Sequence, residues 1–144
     1  MVLVYSLLDA LIDDPQWVAN AQSLTLNRDR PYIGLKGNHG LFGSEEWVNN
    51  IKNGVISKFR RSGIIVDIRT ANLDDPEDIC NTAKLCLDDG SEFYLSFYFN
   101  NSDQEMMYKI GKKITMEYIL DERKFWRDES DRFLNLTFRV LIER

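Results

Sequence analysis

With 144 residues, 44% of them hydrophobic and 12% aromatic, the chain carries enough apolar material for one domain with its own core and too much for a disordered segment. A formal net charge of −5 disfavours general nucleic-acid binding, which relies on lysine and arginine to neutralise phosphates, and suits a basic protein partner met by electrostatic steering. Two cysteines, Cys80 and Cys86, and a single histidine, His39, are too few for a disulfide framework or a four-ligand Cys/His zinc site.

The apolar run at the N-terminus is broken by Ser6 and Asp9, follows no Lys or Arg and lacks a small-residue cleavage site. It reads as neither an export signal nor a membrane span, so a cytoplasmic protein with no membrane contact is expected. Leu3, Leu7, Leu8, Leu11 and Ile12 recur at helical spacing and predict a first helix, stopped by Pro15. Asp14 followed by Pro15 predicts the capped start of a second short helix through Trp17 and Val18. Residues 24–35 look extended, with a turn from Asn27 to Arg30.

Gly34, Gly37, Gly40 and Gly43 recur at every third position around His39. A phosphate cradle is disfavoured there, because no Gly-Lys-Ser/Thr closes the loop and Glu45 and Glu46 already occupy the positive end of the next helix. The glycines are expected to supply positive φ while Leu41 or Phe42 anchors the loop to the core. The stretch would then act as a hinge between a helical and loop-rich part (1–54) and a sheet (55–144) of a single domain. Ser44 is a good N-cap for a short helix whose Trp47, Val48 and Ile51 share a face and which Gly54 stops.

From Val55 the period changes to two. Ile64–Arg69 alternates, and Leu85 and Leu87 lead into Asp88-Asp89-Gly90-Ser91, an Asp-Gly hairpin signal. The returning strand is expected over Glu92–Phe99, with Tyr94, Ser96 and Tyr98 on one face. A brief element at Met106–Lys109 ends at Gly111, and strands follow at Ile114–Leu120 and Leu134–Ile142. The fold class is therefore α+β, with short N-terminal helices and an antiparallel, barrel-like sheet. The rhythm is that of OB-like or SH3-like barrels, an architectural analogy that implies no activity.

Little in the chain suggests catalysis. His39 is the only imidazole available to a nucleophilic mechanism, and its Asn-His-Gly setting is that of a turn. Cys80 and Cys86 lack redox spacing and read as ordinary thiols. No segment carries a calcium-loop pattern, and neither a cofactor nor a metal is expected. The acids gather in exposed-looking loops, and Asp74, Asp75, Glu77, Asp78, Asp88, Asp89, Asp121 and Glu122 form the candidate patch for a basic partner. The expected function is non-enzymatic binding, in its most concrete form an acidic protein that neutralises a basic partner, such as the immunity partner of a toxin nuclease. A rival expectation is an OB-like module that binds single-stranded nucleic acid or a glycan on Tyr94, Ser96 and Tyr98. A small enzyme using His39 comes third. Oligomeric state is not readable from these residues.

Overall fold

Local signals set the helices. In the computed structural model, which describes residues 1–69 and 81–144, the Asp14 carboxylate accepts from the Trp17 amide at 3.1 Å and Pro15 opens a helix. The hydroxyl of Ser44 likewise accepts from the Trp47 amide at 3.2 Å. Among the described residues the helices are α1 (Leu7–Asp13), α2 (Pro15–Leu26) and α3 (Glu45–Lys52). Two short 3-10 turns span Ser102–Met107 and Glu129–Asp131.

The period-two segments become β2 (Ser57–Arg69), β3 (Thr82–Leu87), β4 (Glu92–Ser96), β5 (Lys113–Glu122) and β6 (Phe133–Ile142), and Val2–Ser6 adds β1. The six strands form one antiparallel, barrel-like sheet in the order β1-β6-β5-β2-β3-β4. The α+β class with a barrel-like sheet is thus observed.

Three expectations need correction. Val2–Ser6 is not the start of a helix: it pairs antiparallel with β6, from Val2 opposite Ile142 to Ser6 opposite Arg139. Cross-strand pairing here overrides the helical spacing of Leu3 and Leu7. Residues 24–26 finish α2 instead of extending, although the turn after them forms, with the Arg30 amide on the Asn27 carbonyl. Finally, β4 ends at Ser96, not Phe99. Past that point the Asn100 amide donates to the Val4 carbonyl of β1 at 3.0 Å and the Tyr108 hydroxyl holds the Tyr98 carbonyl and amide at 2.7 and 3.0 Å, drawing the chain from β3 towards β1.

The described chain packs as two compact units, and β2, β5 and β6 contribute residues to both. The first comprises Met1–Ser6, Arg60–Glu117 and Arg139–Arg144. Val4, Ile65, Leu85, Ile114, Met116 and Val140 are fully buried there. Across its strands, Glu117 of β5 accepts from Arg60 of β2 at 2.7 Å and from both Nε and Nη2 of Arg139 of β6, at 2.7 and 2.9 Å. Ser62 and Thr115, two residues further along β2 and β5, share a hydrogen bond at 3.0 Å.

The second unit comprises Leu7–Phe59 and Tyr118–Phe138. Leu7, Trp47, Ile51, Ile56 and Ile119 are fully buried there. All four glycines of the 34–43 stretch have positive φ, and Phe42 is buried, as expected. Gly40 shows why the position is strict: at φ +102°, a Cβ would lie 2.6 Å from the Trp47 amide nitrogen. The stretch is not a free hinge. The Lys36 amide donates to the Glu122 carbonyl at 2.8 Å, the Lys124 amide to the Gly34 carbonyl at 3.0 Å, and Gln22 to the Phe42 carbonyl at 2.9 Å.

The Glu117 clamp makes a pH prediction. Hydrogen bonds from Arg139, against burial and together with those from Arg60, hold its carboxyl down to about 2. A depressed carboxylate contributes stability that is complete above the unfolded value of about 4.3 and is lost as pH falls towards the folded one. Denaturant unfolding between pH 7 and pH 2.5 should therefore show a fall below about pH 4.3 that is shallower in Glu117→Gln. That variant should also lose about 1–3 kcal/mol at neutral pH, where it forfeits charge-assisted hydrogen bonds. An unchanged acid limb would remove Glu117 as its source.

Candidate partner-binding surface

The acidic hairpin forms where the Asp-Gly pair puts it. The Leu87 amide donates to the Ser91 carbonyl and the Gly90 amide to the Leu87 carbonyl, both at 2.9 Å, with Gly90 at φ +87°. Asp89 is the internal brace of this turn. The Ser91 hydroxyl and amide both donate to its carboxylate and hold its pKa below the ordinary carboxylate range. Asp88, Asp89 and Glu92 are all exposed, and Glu92 also meets Lys84 of β3 at 3.3 Å. Beside the turn lies an open groove of about 440 Å³ whose lining includes Arg60, Arg61, Asp88, Asp89, Glu92 and Phe93. The Arg61 guanidinium stacks over the Phe93 ring at 5.1 Å.

The other predicted acids divide. Asp74, Asp75, Glu77 and Asp78, together with Cys80, lie outside the described residues. Asp121 and Glu122, expected on an exposed loop, are instead buried, at 3% and 6% exposure. They close β5 rather than sit beyond it, and each has partners that tolerate its burial. The Trp47 indole donates to Asp121 at 3.0 Å. Burial raises the Asp121 pKa in spite of that bond. Burial also acts upward on Glu122, but Arg132 at 3.0 Å, Lys36 at 3.7 Å and the Asn38 amide at 3.1 Å outweigh it and leave its pKa lowered. Neither carboxylate offers a free surface to a partner.

Tyr94, Ser96 and Tyr98 do not share one strand face. Tyr94 and Ser96 stand exposed on β4, with the Arg69 guanidinium 5.2 Å from the Tyr94 ring. Tyr98 lies past the strand end and packs against Tyr5 at 5.0 Å between centroids. His39 is held through its backbone, whose carbonyl accepts from Asn50 at 2.9 Å. Cys86 is a free, exposed thiol facing away from Leu85 and Leu87. Among the described residues, no group of three or more His, Cys, Asp or Glu side chains is placed to hold a metal ion. No helix there is long and apolar enough to cross a membrane.

One surface feature was missed. Lys124 reaches the C-terminal end of α2, donating to the carbonyls of Leu24, Asn27 at 3.1 Å and Arg30 at 3.4 Å. A cation at the negative end of a helix is favourably placed, and this one also binds the following turn. The turn presents Tyr32, edge-on to Phe125 at 4.8 Å. Nearby, the Arg132 guanidinium lies over both Trp126 and Phe133, at 5.0 and 5.3 Å. Phe125 and Trp126 interrupt the charged stretch from Asp121 to Arg132, and aromatics in such a loop were the available signal.

The Trp47–Asp121 bond can be tested by its pH response. Trp47→Phe keeps a ring but removes the donor, so the variant should lose about 1–3 kcal/mol at pH 7, the cost of an unsatisfied buried acceptor. The folded pKa of Asp121, already raised, should rise further. A raised carboxylate pKa favours folding as pH falls, so the loss should shrink between pH 7 and pH 4.5 in denaturant titrations. A loss equal at both pH values would place the effect in packing alone.

A family model described as Immunity protein RhsI2 matches residues 1–143, and so takes in the acidic hairpin, the clamp at Glu117 and every strand. No curated protein matches the chain. On the strength of a match over all but its last residue, the chain belongs to the RhsI2 immunity-protein family, whose members neutralise a partner toxin.

Proposed function

We propose that this immunity protein neutralises a basic toxin by occlusion, without chemistry of its own, and that Asp88, Asp89 and Glu92 are part of the contact. The family supplies a toxin as partner. The observation that carries the finer reading is that these three carboxylates stand exposed around one hairpin of a chain with net charge −5. Two other acids of the sequence, Asp121 and Glu122, are committed to internal partners instead. Acids fixed on a tight turn present charge without the entropy loss of ordering a loop on binding. They also speed encounter with a cationic surface. The protein acts in the cytoplasm on this reading, where an exposed free thiol such as Cys86 stays reduced.

The test uses the partner toxin, purified apart from the immunity protein. Its affinity for the immunity protein should fall with rising salt, and Asp88→Lys with Glu92→Lys should weaken binding at least about tenfold, or 1.4 kcal/mol, chiefly through a slower association rate. Asp89 is left alone because it braces the turn. Affinity that is insensitive both to salt and to the double reversal would sink the electrostatic reading.

A further inference from the structure

The two edges of the sheet are treated differently. At β1 the outer backbone groups are covered: the Asn100 side chain accepts from the Ser6 amide at 2.7 Å and donates to the Ser6 carbonyl at 3.1 Å. The Asn100 amide donates to the Val4 carbonyl at 3.0 Å, and Gln104 donates to the Leu3 carbonyl at 3.2 Å. The segment from Asn100 to Gln104 thus occupies the hydrogen-bonding positions that a neighbouring strand would take.

At β4 no such cover exists among the described residues. The ladder phase follows from two bonds, Phe97 amide to Asn81 carbonyl and Leu87 amide to Ser91 carbonyl. Directly opposed residues of an antiparallel pair alternate between bonded and non-bonded. With Thr82 opposite Ser96 and Cys86 opposite Glu92, the bonded positions of β4 are Phe93 and Leu95. Glu92, Tyr94 and Ser96 therefore turn their N–H and C=O groups away from β3, towards the outer edge, and their side chains are exposed as well.

Edge strands are guarded by shortness, charge, proline, a bulge or a covering loop, and of these β4 has only its five-residue length and Glu92. β4 has the sequence EFYLS and runs without a register shift, whereas shifts occur in the β1/β6 and β2/β3 pairs. An open edge with three outward N–H and C=O pairs is the template for strand addition, in which main-chain bonds supply affinity and alternate side chains supply specificity. Its first residue, Glu92, also belongs to the acidic hairpin, so the edge is continuous with the charge at Asp88 and Asp89.

We propose that the toxin docks an extended, basic segment along the outer edge of β4 as a seventh strand. The backbone of Glu92, Tyr94 and Ser96 supplies the hydrogen bonds, while Asp88, Asp89 and Glu92 receive its cations. This rests on the proposal that the partner is a basic toxin. An added strand of about five residues spans roughly 17 Å, the length of β4 itself. Alternate side chains of the incoming segment would then lie beside Tyr94 and Arg69 on the exposed face.

Amide exchange tests this in the full chain, free and in complex with its partner toxin. In the free protein the amides of Glu92, Tyr94 and Ser96 should exchange quickly, while those of Phe93 and Leu95, bonded to β3, are protected. In the complex all five should be protected, with the outward three slowed at least about tenfold, the factor that 1.4 kcal/mol of protection brings. Tyr94→Pro removes one outward N–H and none used by β3. It should weaken binding about tenfold, one hydrogen bond's worth, while Tyr94→Val, which keeps the N–H, binds within about threefold, or 0.7 kcal/mol.

A toxin that binds and responds to Asp88→Lys and Glu92→Lys, yet leaves the outward amides unprotected, overturns strand addition and leaves the electrostatic contact standing. Alternating protection with no response to those reversals keeps strand addition and removes the charge. Protection of the same amides in the free protein at high concentration would assign the edge to a second copy and overturn the toxin assignment. Absence of any toxin complex overturns both proposals.

Discussion

A single carboxylate ties three adjacent strands together. Glu117 sits on β5, and its two oxygens receive guanidinium hydrogen bonds from β2 on one side and β6 on the other. The carboxylate is buried, but Arg60 and Arg139 keep side-chain exposures of 65% and 40%, so the cations keep much of their hydration while the anion loses its own. That asymmetry lightens the desolvation that makes fully buried ion pairs unrewarding. It also fixes register. Slipping β6 by one residue would carry Arg139 to the opposite face and strip the buried Glu117 of two of its three hydrogen bonds. The Ser62–Thr115 bond, two residues along on the same pair of strands, repeats the same offset.

The clamp and the buried pair Asp121 and Glu122 also explain where the acidity of the chain goes. Glu117 is neutralised by two arginines and Glu122 by Arg132 and Lys36. Only Asp121 relies on a neutral donor, and its pKa is raised where those of the other two are lowered. The internal carboxylates use up cations, so the net charge of −5 is expressed by acids with no internal duty. Among the described residues the exposed hairpin acids show this in different degrees: Asp89 serves the turn and the surface together, Glu92 also meets Lys84, and Asp88 faces solvent. The charge a partner meets is thus set by what the fold does with its arginines as much as by composition.

Features decided within a few residues were legible in the sequence. The caps at Asp14 and Ser44, the Asp-Gly hairpin, the positive-φ glycines and the alternation of β6 each follow from local chemistry and appear where they were expected. Features decided by distant pairing were not. Val2–Ser6 has leucines at helical spacing on its C-terminal side, and it becomes a strand because β6, over 130 residues away, offers it an edge. The end of β4 depends on the chain past it bonding to β1 through Asn100, and the burial of Asp121 on Trp47. A run of acids near a sequence turn looks solvated whether or not an indole from another segment covers it, so Asp121 and Asp88 could not be told apart by composition. The aromatic cluster around Arg132 was hidden in the same way, since cation–π stacking joins residues that sequence spacing alone does not bring together.

The contrast between the sheet edges links fold to function. Both outermost strands are short, five residues each, so length alone does not decide which is protected. At β1 the protection comes from a side chain, Asn100, whose amide mimics a backbone peptide by donating and accepting at Ser6. Polar groups that this arrangement satisfies would otherwise invite a neighbouring chain. Nothing among the described residues does this for β4, and the hairpin that leads into it carries Asp88 and Asp89. An edge open to any strand would be an aggregation hazard, and a fixed negative charge at its entrance opposes the approach of copies of the same acidic chain. Under the proposed strand addition, the same carboxylates would guard the edge against the wrong strand and recruit the right one.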